Sequence, residues 1–166
     1  MKHLTVLALS LALLSACGKQ DATPPPAPGS SDTPSGPRPE KIANGEPAVI
    51  TVEHVLIGFK ETMPKSNRTK DEARKLAYEV LNRAKSGEDF TKLRKELSDD
   101  NATPDAGVYT LVNNGVAKQG SGEYERTGMV PAFGDVGFVL NVTEIGLAEH
   151  DSQKSPYGWH IIKRIK

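Results

Sequence analysis

The prolines divide this chain before anything else does. Seven of the twelve lie between Pro24 and Pro39, with Ser, Gly, Asp and Thr between them, and from Gly18 to Glu46 the only large aliphatic residue is Ile42. A stretch of that kind cannot bury enough apolar area to offset the entropy of ordering it. Residues 18–46 are therefore expected to form a disordered, partly extended tether. The prolines are not regularly spaced, which disfavours a ligand for a proline-recognising domain. What remains, residues 47–166, suffices for one modest core and not for two. Lys and Arg total 21 and Asp and Glu total 21. Such a balance supplies no broad field for a nucleic acid or an anionic surface, and no nucleic-acid partner is expected. With a single cysteine there is neither an internal disulfide nor a thiolate metal cage. His3, His54, His150 and His160 make no closely spaced ligand set, so no metal is expected, and with no phosphate-cradling glycine motif no other cofactor is expected either. Gly120-Ser121-Gly122 lacks the strand-turn-helix setting of a nucleophile elbow.

Ahead of the tether, Met1 to Cys17 begins with Lys2 and His3 and runs as an apolar stretch from Leu4 to Leu14. The stretch is too short for a mature bilayer span, and it has the charged start and small-residue finish of an export signal. Its ending, Leu14-Ser15-Ala16-Cys17, resembles the lipobox of bacterial lipoproteins. That resemblance implies lipidation of Cys17 and cleavage before it, and so an exported protein anchored to the membrane through its lipid. Gly18 after the cysteine fits the outer membrane, facing the periplasm. The alternatives are an ordinary secretory signal with an incidental cysteine, or a buried core helix.

Periodicity returns after Glu46. Ala48 to Ile57 alternates as a strand, with Ile50, Val52, His54 and Leu56 on one face. Thr69-Lys70-Asp71-Glu72 reads as a capping box, followed by Ala73, Leu76, Ala77, Val80, Leu81 and Ala84 at helical spacing and a stop at Ser86-Gly87. A shorter helix starts near Asp89 and carries Phe90, Leu93 and Leu97. Ser98 to Gly107 reads as a loop, Val108 to Val112 as a strand, and Asn113 to Thr127 as a long exposed loop. Val130 to Leu140 has helical spacing with Pro131 in its first turn. Ile145 to Ala148 and Trp159 to Ile165 are strand candidates. The order β-α-α-β-α-β-β predicts an α+β sandwich with a mostly antiparallel sheet of four strands.

Four of these stretches resemble, in order and spacing, the parvulin family of peptidyl-prolyl isomerases: His54-Val55-Leu56-Ile57, Ser98-Asp99-Asp100, Met129-Val130-Pro131-Ala132-Phe133 and Tyr157-Gly158-Trp159-His160-Ile161-Ile162. The resemblance covers essentially all of residues 47–166. It implies an FKBP-like sheet covered by about three to four helices. It also implies isomerisation of Xaa-Pro bonds, against a torsional barrier of about 18–20 kcal/mol set by amide resonance. A rate gain of about 10⁴ requires the twisted amide to be stabilised by roughly 5.4 kcal/mol more than the ground state. No metal or nucleotide is needed for that.

By the same resemblance Met129 and Phe133 build the proline pocket, and Tyr109 stands at a further wall position where the family commonly has Leu. His54, His160 and Asp100 match its polar centre, and Ser155 matches a hydroxyl position near it. From the residues alone, Met129 and Phe133 could be plain core, the histidines could orient the site rather than transfer protons, and Asp99 could replace Asp100. The connection from Tyr109 to Met129 is longer than the family's usual one and is expected to overhang the pocket. Gly58 takes the place of a key lysine of phosphate-directed members, so unphosphorylated substrates are expected. The partners implied are proline-containing exported polypeptides, met by a monomer. A non-catalytic polypeptide-binding chaperone module is the alternative.

Overall fold

The structure, a computed structural model, describes residues 36–103 and 105–166. Cys17 and the expected signal lie outside the described residues, as does most of the tether. The elements are β1 (Val49–Ile57), α1 (Lys70–Lys85), α2 (Phe90–Leu97), β2 (Val108–Val112), β3 (Glu123–Glu125), a 3₁₀ turn (Arg126–Gly128), α3 (Pro131–Val139), β4 (Ile145–Ala148) and β5 (Trp159–Arg164). They form an α+β fold with one five-stranded sheet in the order β3-β2-β1-β5-β4. All pairs are antiparallel except β2 with β3.

Local chemistry sets the helices. In α1 the Thr69 hydroxyl accepts from Glu72 N at 3.3 Å, while the Glu72 carboxylate accepts from Thr69 N at 2.8 Å, so two orphan amides are satisfied reciprocally. Asp89 caps α2 by accepting from Lys92 N at 2.6 Å. The buried face of α1, Ala73, Ala77, Val80 and Ala84, is small.

The side-chain alternation of the strands makes two cores. Val55, Ile57, Trp159 and Ile161 face α1 and α2. Ile50, Val52, Leu111 and Ile162 face the other way, onto Phe133 and Phe138 of α3. His54, Tyr109 and His160 belong by register to this second face, at one end of its apolar layer. No helix among the described residues is long and apolar enough to cross a membrane.

Two findings differ from the sequence expectation. The sheet has five strands, not four, because Glu123–Glu125, inside the segment read as loop, pairs with the free edge of β2. Three residues, Glu-Tyr-Glu, are too few to show a period, and a parallel edge pairing leaves no hairpin signal. Secondly, residues 36–46, which composition places in the tether, are held on the domain by polar contacts. Arg38 reaches Glu123 at 2.6 Å, Ala48 N donates to Glu40 O at 2.9 Å, and Glu46 accepts from Arg126 at 2.8 Å and Asn113 at 3.1 Å.

Candidate active site

β1 outruns β2: their register ends at Glu53 opposite Val108, and the backbone edge of His54 to Ile57 is taken up by the loop after α2. His54 N donates to Gly107 O at 2.8 Å, Asp99 N to Leu56 O at 2.8 Å, and Leu56 N to the Ser98 hydroxyl at 3.0 Å. That stitching carries Asp99 and Asp100 alongside β1. Gly107 is required there, since φ is +87° and a Cβ would stand 2.9 Å from His54 O.

Asp99 and Asp100 turn to different partners. Asp99 accepts from Gly58 N at 2.7 Å and forms an ion pair with Arg68, so it fastens the loop between β1 and α1. Asp100 accepts on one oxygen, Oδ2, from His54 Nε2 at 2.9 Å and from the Tyr109 hydroxyl at 2.7 Å. Of the two, it is Asp100 that bonds His54 and Tyr109.

His160 lies on β5 two residues from Ile162, which pairs with His54, so the two imidazoles are diagonal neighbours on one face. Their Nδ1 atoms are 3.1 Å apart and the rings are stacked, 12° from parallel. His160 is 4% exposed. Burial, with a smaller push from His54, lowers its pKa to about 3 against the opposing pull of Asp100, so it stays neutral at ordinary pH. Asp100 is held below the usual carboxylate range by its hydrogen bond from His54 foremost and then by that from Tyr109, against burial. With His54 Nε2 donating to Asp100, the Nδ1 contact between the two imidazoles has His160 as donor and His54 as acceptor. The Tyr109 phenol is pushed up by burial and by its bond to Asp100.

Beside this network is an open cavity of about 680 Å³, a size suited to a small molecule or a few peptide residues. Its apolar lining includes Leu56, Met63, Met129, Val130 and Phe133, and its polar lining includes His54, Asp100, Tyr109 and His160. Phe133, 1% exposed, sets its ring edge-on to His54 at 5.0 Å and to His160 at 5.5 Å. Met129 lines the same cavity but is extended (φ −96°, ψ 163°) just before α3, which begins at Pro131. The two therefore line one cavity without sharing a helical face.

The structure thus brings together six of the candidate residues: His54, Asp100, His160, Tyr109, Met129 and Phe133. Ser155 stands apart from them. It is fully buried, it does not line the cavity, and its hydroxyl donates to Gly158 O at 2.8 Å, bracing the turn into β5. Gly158 itself has φ +148°, and a Cβ there would collide with Ile57 O. Of the connection from Tyr109 to Met129, expected to overhang the pocket, Tyr109, Gly128 and Met129 line it and residues 113–127 do not, while Tyr124 stands against the ring of Tyr109 at 5.3 Å. Sequence reading also missed Met63 and Tyr157 as lining, and missed that Tyr109 contributes a hydroxyl. An aromatic with a polar tip, placed where an apolar wall is usual, was the available signal.

The description of the PPIC-type PPIASE domain fits residues 40–165 of the chain. The chain belongs to this family, the parvulin-type peptidyl-prolyl isomerase domains. It is similar to the foldase protein PrsA of Caldanaerobacter subterraneus subsp. tengcongensis, 37% identical over 115 residues, which are 69% of this chain and 28% of that protein. It is also similar to the chaperone SurA of Pseudomonas fluorescens, 29% identical over 114 residues, 69% of this chain and 22% of that protein. The chain thus spans about a quarter of the length of these relatives. Among solved structures, PrsA from Bacillus subtilis matches with TM-score 0.45 at 26% identity over 72% of this chain and 35% of that one. Pin from the psychrophilic archeon Cenarcheaum symbiosum matches with TM-score 0.43 at 29% identity over 72% of this chain and 93% of that one.

Proposed function

We propose that the domain catalyses cis/trans isomerisation of Xaa-Pro bonds in exported polypeptides. The observation that carries this reading is the junction of Phe133 and Met129 with the Asp100–His54–His160 network in one cavity. No bond is broken in the reaction. The site has to favour the twisted amide, in which resonance is lost and the proline nitrogen regains its lone pair. Phe133 and Met129 cup the pyrrolidine ring and exclude water from one side. The hydrogen-bonded network holds fixed dipoles beside the amide, where a dry wall strengthens them. Because His160 is neutral and Asp100 ionised, the histidines orient the carboxylate and shuttle no proton in the twist.

Specificity follows from charge. Arg68 is already taken by Asp99 and by the carbonyl of Gly58, and Lys65 is the one Lys or Arg among the lining residues, short of the basic cluster a phosphate would call for. Unmodified Xaa-Pro peptides are the substrates, and phosphoserine-proline peptides are turned over no better. Cys17 is the lipid anchor in this reading, holding the domain at the membrane where exported chains emerge. Mass spectrometry of the membrane fraction tests it, an unmodified Cys17 being the contrary result.

The deciding experiment is exchange of unmodified Xaa-Pro peptides by the protein and by Phe133→Ala and Asp100→Ala. Acceleration by the wild type that both variants lose, with the fold retained, supports the reading. The names of the relatives, a foldase and a chaperone, favour as second reading a module that holds extended polypeptide. Peptide binding without acceleration by the wild type selects it.

A further inference from the structure

The segment between β2 and α3 lays β3 parallel to β2, with Tyr124 opposite Leu111. Tyr124, about half exposed, meets the ring of Tyr109 edge-on, centroids 5.3 Å apart at 85°. The same Tyr109 ring touches His54 at 5.6 Å and Phe133 at 6.1 Å, so it is confined from three directions. Its hydroxyl, which also meets the backbone of Gly107, donates to the Oδ2 of Asp100, the oxygen that accepts from His54 Nε2 as well. Leu, the residue that the family resemblance gives for this position, would leave that oxygen to His54 alone.

We propose that Tyr109 is a positioning residue for Asp100, and that Tyr124 of the added strand holds Tyr109 in place. The proposal rests on the isomerase reading only for its effect on rate. A phenol donating to a carboxylate makes a charge-assisted bond that fixes the acceptor and favours its ionised form. With Oδ2 fixed between two donors, the imidazole of His54 is fixed too, and with it the order of protons along His54 and His160. The inserted strand and the tyrosine are thus one device, a ring supported from outside so that its hydroxyl can restrain an acid inside.

Groups facing Asp100 come from each neighbouring element: His54 on β1, His160 on β5 and Tyr109 on β2, with Lys65 on the cavity wall. Asp99, next in the chain, is paired with Arg68, and α3 presents Phe133. Of these, Tyr109→Phe removes one hydroxyl and keeps every ring contact.

The test is carbon-13 titration of the Asp100 carboxyl in the full chain, beside the pH profile of kcat/KM. Tyr109→Phe is expected to raise the Asp100 midpoint, and to move the acid limb of kcat/KM up with it while KM holds. Tyr124→Ala moves both in the same direction, and Tyr124→Phe restores the wild-type values. An Asp100 midpoint unmoved by Tyr109→Phe overturns the proposal, and one moved by Tyr109→Phe but not by Tyr124→Ala overturns the part given to Tyr124. If the midpoints move as expected while the wild type accelerates no peptide, the positioning stands and the isomerase reading falls.

Discussion

His160 is a buried base whose folded pKa lies far below its free value, and this has a sign that can be measured. Below about pH 6.5 the unfolded chain takes up a proton at this position that the folded chain refuses until about pH 3. The stability it contributes is complete above pH 6.5 and declines as pH falls between those values. Urea unfolding from pH 7 to pH 4 is therefore expected to show falling midpoints, and His160→Gln a shallower slope than the wild type. Asp100 acts through the opposite charge in the same direction. Its folded pKa is depressed, so its contribution is present above the free carboxylate value and is lost as pH falls through the folded one. Phe133 is the residue whose loss separates packing from chemistry. Truncation to Ala costs about 3–5 kcal/mol of stability in a buried site, measurable by denaturant unfolding, and removes the wall that the proposed function gives to proline. At this scale the sequence showed which residue types are present but not their partners. Ser155 was placed near the site by resemblance, and only the backbone path shows its hydroxyl turned to Gly158 O.

Among the elements, the loop after α2 depends on a charge pair that belongs to the opposite face of the sheet. Arg94 donates to Glu53 at 2.7 Å with both side chains 8% exposed, and also to the carbonyl of Ala106. Glu53 precedes His54, and Ala106 precedes the glycine that bonds His54, so this pair ties α2, β1 and the Asp100 loop together. Removing one partner leaves the other charge buried, and Arg94→Met is expected to lower stability by about 3–5 kcal/mol. Arg94→Met with Glu53→Gln recovers much of that, which a double-mutant cycle in urea reads directly. The regular elements were legible because each satisfies its own rule within a few residues. The capping box from Thr69 to Glu72 and the alternation through β1 are local statements. β3 was not legible, because its only cause is the unpaired edge of a strand more than ten residues earlier.

Over the whole molecule, the boundary between lead-in and domain is electrostatic and not hydrophobic. Composition marks where apolar residues begin, near Pro47, but Arg126 looks back past that point to Glu46 while also reaching Asn113 and Asp135 and standing over the ring of Phe138. A chain beginning at Pro47 strips Arg126 and Asn113 of the Glu46 acceptor. It is expected to be less stable than one beginning at Gly36 by about 1–3 kcal/mol, with a correspondingly lower melting temperature. That His54 shares a strand face with Ile50, Val52 and Leu56 was readable from alternation, whereas the two-core layout and the fastening of residues 36–46 were not, since the second uses charges spaced far apart in sequence.

Those fastenings also have a mechanical consequence. They run in series along the lead-in: Arg38 to Glu123, then Glu40 to Ala48, then Glu46 to Arg126. A pull applied at Gly36 loads them one after another, as in peeling, rather than all together, as in shear. Each can let go while the next still holds. The eleven residues of 36–46, drawn straight, then yield about 35 Å of extra reach before any load arrives at β1 and the sheet.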